Sequence, residues 1–395
     1  MEASCERKAG GEPLSGAATQ APNGLGIGDP MDARLILSSL GDGVYVTDVD
    51  RRIVYWNAAA ARITGWAAED MIDRYCYDNL LSHVDKDGHQ LCGQEYCPLH
   101  RSIVTGAGSG CPLVFALRKD GRRMPLQVTV APIRNQAGEI IGGVEVFRDI
   151  SSTVRDLERA KAIQSVSLEQ DLPHDARIRF ETHYIPHDVV GGDFYGIRRL
   201  DADRYGFFLA DVMGHGLTAA LYTMHLSSLW DRYHPLVESP LDFLAKLNDK
   251  LCRIVKGGDS FAAAACGLVD ARRRHVILAA AGNPPPLVVR AAGQFEQVEC
   301  AGLPLGVMED APYEQIDLDF SPGDRLLLFS DGATEIHDAE NDLLGVDGLV
   351  AILKQQGYPG SDIQVAAVEE QLLKYSNAVR LDDDLTLIEV CFAKN

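Results

Sequence analysis

Residues 207–224 read FFLADVMGHGLTAALYTM. An apolar, β-like run (YGFFLA) ends on Asp211, and Gly214 and Gly216 follow closely. A carboxylate at the end of a buried strand is costly unless something compensates its charge. The design recurs along the chain. RLLLFS runs into Asp331 and Gly332, GGDFY sets Asp193 behind two glycines, and LDDDLTLIEV places Asp382, Asp383 and Asp384 before an apolar run. Several such carboxylates in one place repel one another, and some hold protons at neutral pH. A hard divalent cation such as Mg2+ or Mn2+ removes that conflict and prefers all-oxygen ligands. The plainer reading stands beside it: Asp-Gly at a strand end is a turn, and Asp-Asp-Asp a solvated loop or helix cap. Four acidic stretches together, each edging a hydrophobic strand, weigh toward the cation.

The chain has 395 residues, more than one hydrophobic core usually organises, so two domains are expected. Its formal net charge of −20 argues against a nucleic-acid backbone or an anionic membrane as the main partner, because either would repel it. No stretch approaches the roughly 18 uninterrupted apolar residues of a membrane span. The richest run, FAAAACGLV at 261–269, reads as buried core. Residues 1–30, rich in Gly, Ala, Ser and Pro, read as a disordered tail and not as a secretory signal. Nine cysteines without a CxxC pair do not form a disulfide framework, which places the protein in the cytoplasm.

From residue 31 the sequence becomes periodic. Leu35, Ile36, Leu37 and Leu40 suggest a short helix broken at Gly41 to Gly43. VYVTDVDRRIVYWN (44–57) reads as two alternating strands about an Asp-containing turn, and AAAARITG as a helix stopped by Gly65. The segment from Cys111 to Ser151 gives three strands with turns at Lys119 to Gly121 and Asn135 to Gly138. This order, with YVTDVDRRIVYWNAAAARITGW, RKDGRRMPLQVTVAPI and GGVEVFRDIS, resembles a PAS sensory domain over residues 31–150. The resemblance implies a five-stranded antiparallel sheet with helices that cups a small ligand or forms a dimer face. Trp56 and Asn57 read as parts of that fold. Residues 151–172 then read as a helical linker ended by Pro173. Val154, Leu157 and Leu168 could share a seam that Lys161 and Gln164 interrupt, so a weak coiled coil and a plain connector both stay open.

In residues 173–395 the phrases IPHDVVGGDFYGI, FFLADVMGHGLTAALYTM, AGNPPPLVV, GLPLGV, PGDRLLLFSDGATE and DDDLTLIEV occur in this order. Together they resemble the bacterial PPM-type serine/threonine phosphatases, and more narrowly the stage II sporulation protein E-like branch that acts on partner-switching regulators. The resemblance implies an α+β chain whose C-terminal part is an αββα sandwich with a site for two divalent cations, Mn2+ or Mg2+, at one end. Matched by motif, Asp193 and Asp211 are metal ligands with Asp211 bridging both ions. The carbonyl of Val212 adds a backbone ligand. Asp331 is the next carboxylate, and Asp383 the last, with Asp384 as the alternative. The implied reaction is direct hydrolysis of a phosphoserine or phosphothreonine by metal-activated water. His215 is a candidate proton donor to the leaving oxygen. The phosphate-binding arginine of eukaryotic members has no counterpart before Asp193, and Asn283 stands where relatives often have His, as a structural turn. The implied substrate is a phosphorylated STAS-type anti-anti-sigma protein, in a homodimer joined through PAS and linker. A different phosphoprotein substrate and a non-catalytic scaffold binding a STAS partner are the alternatives.

The PAS half holds a second candidate constellation: Cys76, His83, Cys92 and Cys97, with His100 and Cys111 nearby. Thiolate and imidazole are good ligands for Zn2+ or an iron–sulfur cluster. The alternative is a set of buried, unreactive thiols.

Overall fold

The computed structural model describes residues 30–78, 80–86, 88–93, 96–214, 216–254, 260–378 and 380–394. The expected tail lies outside them except for its last residue, and so does His215. The chain divides into two compact units between Ser152 and Thr153.

The first unit begins with α1 (Pro30–Ser39), β1 (Gly43–Asp48) and β2 (Ile53–Trp56). Three short helices follow, α2 (Ala58–Thr64), α3 (Ala68–Met71) and α4 (Pro98–Thr105), then β3 (Ser109–Leu117), β4 (Arg123–Arg134) and β5 (Ile140–Asp149). The five strands form one antiparallel sheet in the order β2-β1-β5-β4-β3, as the strand alternation and the PAS resemblance imply. Asn57 ties the start of this fold together. Its buried amide oxygen accepts from the N–H groups of Val44 (3.0 Å) and Ala60 (2.7 Å), and its nitrogen donates to the carbonyls of Leu37 and Asp42, both at 3.0 Å. One side chain thus caps α2 and fixes the entry to β1. Gly65 stops α2 in the left-handed region, at φ +79.

The helical linker is α5 (Ser151–Leu168). It ends four residues short of the expected Leu172. The physical reason is Gln170, whose side-chain amide donates to the carbonyl of Tyr195 (2.5 Å) and accepts from the N–H of Ile197 (2.9 Å). The chain leaves the helix to lay this amide along a strand edge, where it imitates a neighbouring main chain.

The second unit continues with β6 (Ile178–Ile185), β7 (Asp193–Arg199), β8 (Arg204–Val212), α6 (Leu217–Tyr233) and α7 (Pro240–Ile254). The next strands are β9 (Ala262–Asp270), β10 (His275–Ala281), β11 (Leu287–Val289), β12 (Phe295–Gln297), β13 (Gln315–Asp319) and β14 (Arg325–Phe329). The unit closes with α8 (Gly345–Gln355), α9 (Val365–Ser376) and β15 (Leu385–Phe392). Two five-stranded sheets result, β13-β10-β9-β8-β7 and β12-β11-β14-β15-β6, with antiparallel pairing throughout. Strand alternation assigns each face. Phe207 and Leu209 pack with Leu326, Leu328, Ile388 and Val390 between the sheets. Phe208 and Ala210 turn instead to Trp230 of α6 and Phe243 of α7. Leu327 and Leu387 face α8 and α9. The architecture is the expected αββα sandwich. Among the described residues no helix is long and apolar enough to cross a membrane.

Asn57→Ala would strand two buried N–H groups, at about 1–3 kcal/mol each, and leave two half-buried carbonyls without their donor. Hydrogen exchange read by mass spectrometry is expected to show Val44 and Ala60 losing about a hundredfold or more of their protection, while β9 in the second unit keeps its own. Unchanged protection at Val44 would refute this role.

Candidate functional site

The apolar stripes between the two sheets end in polar residues at one rim. Phe207 and Leu209 lead to Asp211, and Ile388 is preceded on the same face by Thr386. In the β7–β8 pairing Asp193 lies directly opposite Asp211, and both are buried. Like charges placed so destabilise a sheet. Asp331 follows β14 in a single 3₁₀ turn (Asp331–Ala333), close enough to Asp211 for each carboxyl to act on the other, and its Oδ1 is buried without a hydrogen-bond partner among the described residues.

The surroundings hold this rim in place. Asp193 Oδ2 accepts from the Thr386 hydroxyl, whereas its Oδ1 is buried without a partner. Ser330 Oγ donates to the Asp384 carbonyl and accepts from the N–H of Thr386, joining β14 to β15 beside Asp331. Asp384 is also buried, and its carboxylate takes three main-chain donors: His187 (2.6 Å), Gly192 and Asp193 (3.2 Å). It therefore fastens the loop before β7. A Cβ on Gly191 would come within 2.4 Å of Asp384 Oδ2 and 2.0 Å of the Tyr184 hydroxyl, so the loop has room only for glycine there. Asp383 is half-buried; its Oδ1 accepts only from the N–H of Asp384 (2.8 Å), and its charge acts on Asp211 and Asp331. The run of three aspartates thus divides its labour, with Asp384 holding backbone and Asp383 facing the other carboxylates.

Burial, then the charge of Asp384, pushes the Asp193 carboxyl well above the ordinary range. Burial, then the charges of Asp193 and Asp331, pushes Asp211 up to about 11. Asp331 and Asp384 are raised as well, mainly by burial. No Lys or Arg figures among the strongest influences on any of the four. Buried carboxylates with an oxygen left unpartnered, and no Lys or Arg among the described groups that act on them most strongly, are a donor set that fits hard divalent cations. Among the described residues no group of three or more His, Cys, Asp or Glu side chains is arranged to hold an ion as it stands. The fit therefore rests on donor chemistry and position.

Val212 is buried at the end of β8, its N–H bonded to the Gly192 carbonyl (3.1 Å). Its own carbonyl lies 2.9 Å from where a Cβ on Gly192 would sit. Asn283 is the structural tie expected of it, donating to the carbonyls of Pro284 (2.9 Å) and Phe329 (3.3 Å). In the first unit Cys76, His83, Cys92 and Cys97 line one small cavity together with Glu145, whereas His100 and Cys111 do not.

Sequence reading missed Gln164. Its amide accepts from the Gly191 N–H (3.1 Å) and donates to the Gly191 carbonyl (2.7 Å) and to Thr223 Oγ1 (2.8 Å). Taken for an interruption of a seam, Gln164 lies with Ala160 and Leu168 on the buried stripe of α5. That i, i+4, i+8 spacing is the signal that would have found it. The linker helix thereby grips the loop two residues before Asp193.

Residues 201–393 match the family model described as stage II sporulation protein E (SpoIIE), and residues 32–150 match the PAS fold. Phosphoserine phosphatase RsbP of Bacillus subtilis (strain 168) is 30% identical over 187 residues, 47% of this chain and 46% of that protein. Phosphoserine phosphatase RsbU of the same organism is 26% identical over 245 residues, 62% of this chain and 72% of that protein. This chain thus spans less than half the length of the first of these relatives. The SiaA-PP2C domain of Pseudomonas aeruginosa shares the fold, with a TM-score of 0.51 at 24% identity over 62% of this chain and 98% of that one.

A carboxyl whose pKa is raised on folding contributes most below its unfolded value of 3.8, and loses that contribution as pH climbs toward the folded value, about 11 for Asp211. In EDTA the second unit is therefore expected to melt lower at pH 8 than at pH 6, by up to about 1.4 kcal/mol per pH unit. Asp211→Asn should flatten that dependence, and added Mn2+ should stabilise the parent chain more at pH 8 than at pH 6. Equal melting at both pH values in EDTA would rule the account out.

Proposed function

We propose that this chain, which joins a PAS fold to a SpoIIE-type PPM phosphatase domain, is a signal-regulated, metal-dependent protein serine/threonine phosphatase. The observation that carries the reading is the buried Asp193–Asp211 cross-strand pair with the Asp331 carboxyl acting on it, a charge arrangement that only a cation relieves without protons. The names of the two Bacillus subtilis relatives support phosphoserine as the bond cleaved.

Asp193, Asp211, Asp331 and Asp383 would hold the ions, with Asp211 between them and the Val212 carbonyl as a backbone ligand. Asp384 stays with its three main-chain donors as a positioning residue. Two Mg2+ or Mn2+ ions, when bound, supply a water acidic enough to react near neutral pH and positive charge opposite the phosphoryl oxygens. A bond from water oxygen to phosphorus forms, the serine oxygen–phosphorus bond breaks, and the serine oxygen takes up a proton. His215, four residues beyond Asp211, is the proposed donor. No cysteine lies at this rim, and no covalent phosphoenzyme enters. With no Lys or Arg among the strongest influences on the four described carboxylates, affinity for the phosphate would come from the ions and from the protein that carries it.

The substrate proposed is a phosphorylated STAS-type anti-anti-sigma protein, and the setting a cytoplasmic homodimer joined through PAS and linker. Gln164 gives the signal a physical route. Any shift of α5 along its axis changes the grip on Gly191, and so the position of Asp193.

Hydrolysis of a phosphoserine peptide and of a phosphorylated STAS protein is expected to require Mn2+. It should fall about a hundredfold or more in Asp211→Asn and Asp331→Asn, the equivalent of several kcal/mol of charge stabilisation. Silence on both substrates would leave the chain a scaffold. Gln164→Ala should raise the Mn2+ concentration needed for half-maximal rate by about 10–100-fold, the range for groups that orient metal ligands. The same Mn2+ dependence as the parent chain would remove the linker from the mechanism.

A further inference from the structure

The first unit contains a cavity of about 10 Å3, room for one water-sized centre. Its wall carries the thiols of Cys76, Cys92 and Cys97, the imidazole of His83 and the carboxyl of Glu145. All five side chains are more than nine-tenths buried. Glu145 comes from β5, where alternation with Gly143 and Phe147 points it inward, and one of its oxygens accepts from the Tyr45 hydroxyl (2.8 Å). The other oxygen has no partner, and neither does His83 Nε2. These two atoms are 3.8 Å apart, too far for a hydrogen bond. Leaving such atoms unpaired in a core is unfavourable. Three sulfurs and a free imidazole nitrogen around one small space point to a soft cation.

We propose that this cavity is a zinc site, in which the sulfurs of Cys76, Cys92 and Cys97 and Nε2 of His83 bind one Zn2+. Three thiolates and one imidazole are a ligand set of structural zinc centres. The volume excludes an organic cofactor and an iron–sulfur cluster. One of the sulfurs already receives a main-chain donor that favours the thiolate: Cys92 Sγ accepts from the N–H of His83 (3.2 Å). Burial pushes all three thiols up, and a bound cation would offset that shift. Three thiolates and one Zn2+ carry a net charge of −1. Arg51 stands within electrostatic range of all three sulfurs, one of its nitrogens buried and unpartnered, and offsets that charge. Binding releases the three thiol protons to solvent and involves no change of oxidation state. As they stand the four groups are not drawn in to bonding distance of a common point, so their side chains turn inward to reach zinc–sulfur distances of about 2.3 Å. All four ligands belong to the stretch between α3 and α4, including Cys97 at the helix cap, and the ion would pin that stretch to itself. The site owes nothing to the phosphatase reading.

The test is to load the full chain with Zn2+, dialyse it and count zinc by mass spectrometry, with a parallel Co2+ form read by absorption. One zinc per chain should resist dialysis, and the Co2+ form should show a sulfur-to-cobalt charge-transfer band, which a carboxylate site cannot give. Cys92→Ser and Cys97→Ser should each weaken Zn2+ binding by at least about a hundredfold, the upper end of what an outer-shell change costs, while Cys111→Ser keeps it. A cysteine variant that fails to fold leaves the decision to the cobalt spectrum of the parent chain. Absence of the sulfur-to-cobalt band, or zinc held equally by Cys92→Ser and the parent, overturns the assignment.

Discussion

Two carboxylates, Asp193 and Asp211, face each other across one antiparallel strand pair at the buried rim of a sandwich, and no basic side chain stands among the groups that act on them most strongly. Left to relax, strands with such a pair would slip or splay. The register is held because Phe207, Leu209 and the facing strands of the second sheet bury a continuous apolar layer, and a one-residue slip would turn that layer outward. The core therefore supplies the force that keeps the repelling groups together. The residues around them, Thr386, Ser330 and Asp384, fix the backbone on which they stand.

The same constraint explains the linker helix. The loop before Asp193 meets the neighbouring strand at the Gly192 carbonyl, which accepts from Val212 of β8, and leaves the Gly191 main chain and the Gly192 N–H to be served from elsewhere. Gln164 and Asp384 serve them from opposite sides. Gln170 repeats the device on the edge of β7. Two amide side chains from the linker, itself part of the second unit, thus complete hydrogen bonds that the strands of the sandwich do not make by themselves. A helix fastened in this manner is part of the site's support as well as a connection.

Buried polar groups in the first unit sort into two kinds by the same accounting. Asn57 makes all four of its hydrogen bonds within the fold and serves structure alone. His83 and Glu145 keep unpaired atoms beside three thiols. Where every polar atom is satisfied, the fold accounts for the residue; the His83 and Glu145 atoms left over beside the three thiols are the observation on which the proposed zinc site rests.

Alternation of period two announced the strands of the first unit and glycines at the turns announced their ends, whereas the sandwich of the second came from the resemblance to the PPM phosphatases, with apolar runs ending on Asp as its local trace. The carboxylates were legible too, because an Asp at the end of an apolar run conflicts with burial wherever the strand lies. Asp383 and Asp384 could not be told apart in sequence. Their difference arises only when β15 brings Asp384 under three N–H groups from a loop nearly two hundred residues away. Gln164 looked like a flaw in a helical seam for the same reason: its partner, Gly191, is distant in sequence. Local physics, meaning periodicity and the cost of burying charge, is written in neighbouring residues and can be read there. Which acceptor meets which donor depends on how remote strands and helices pack, and that was decided only by the tertiary structure.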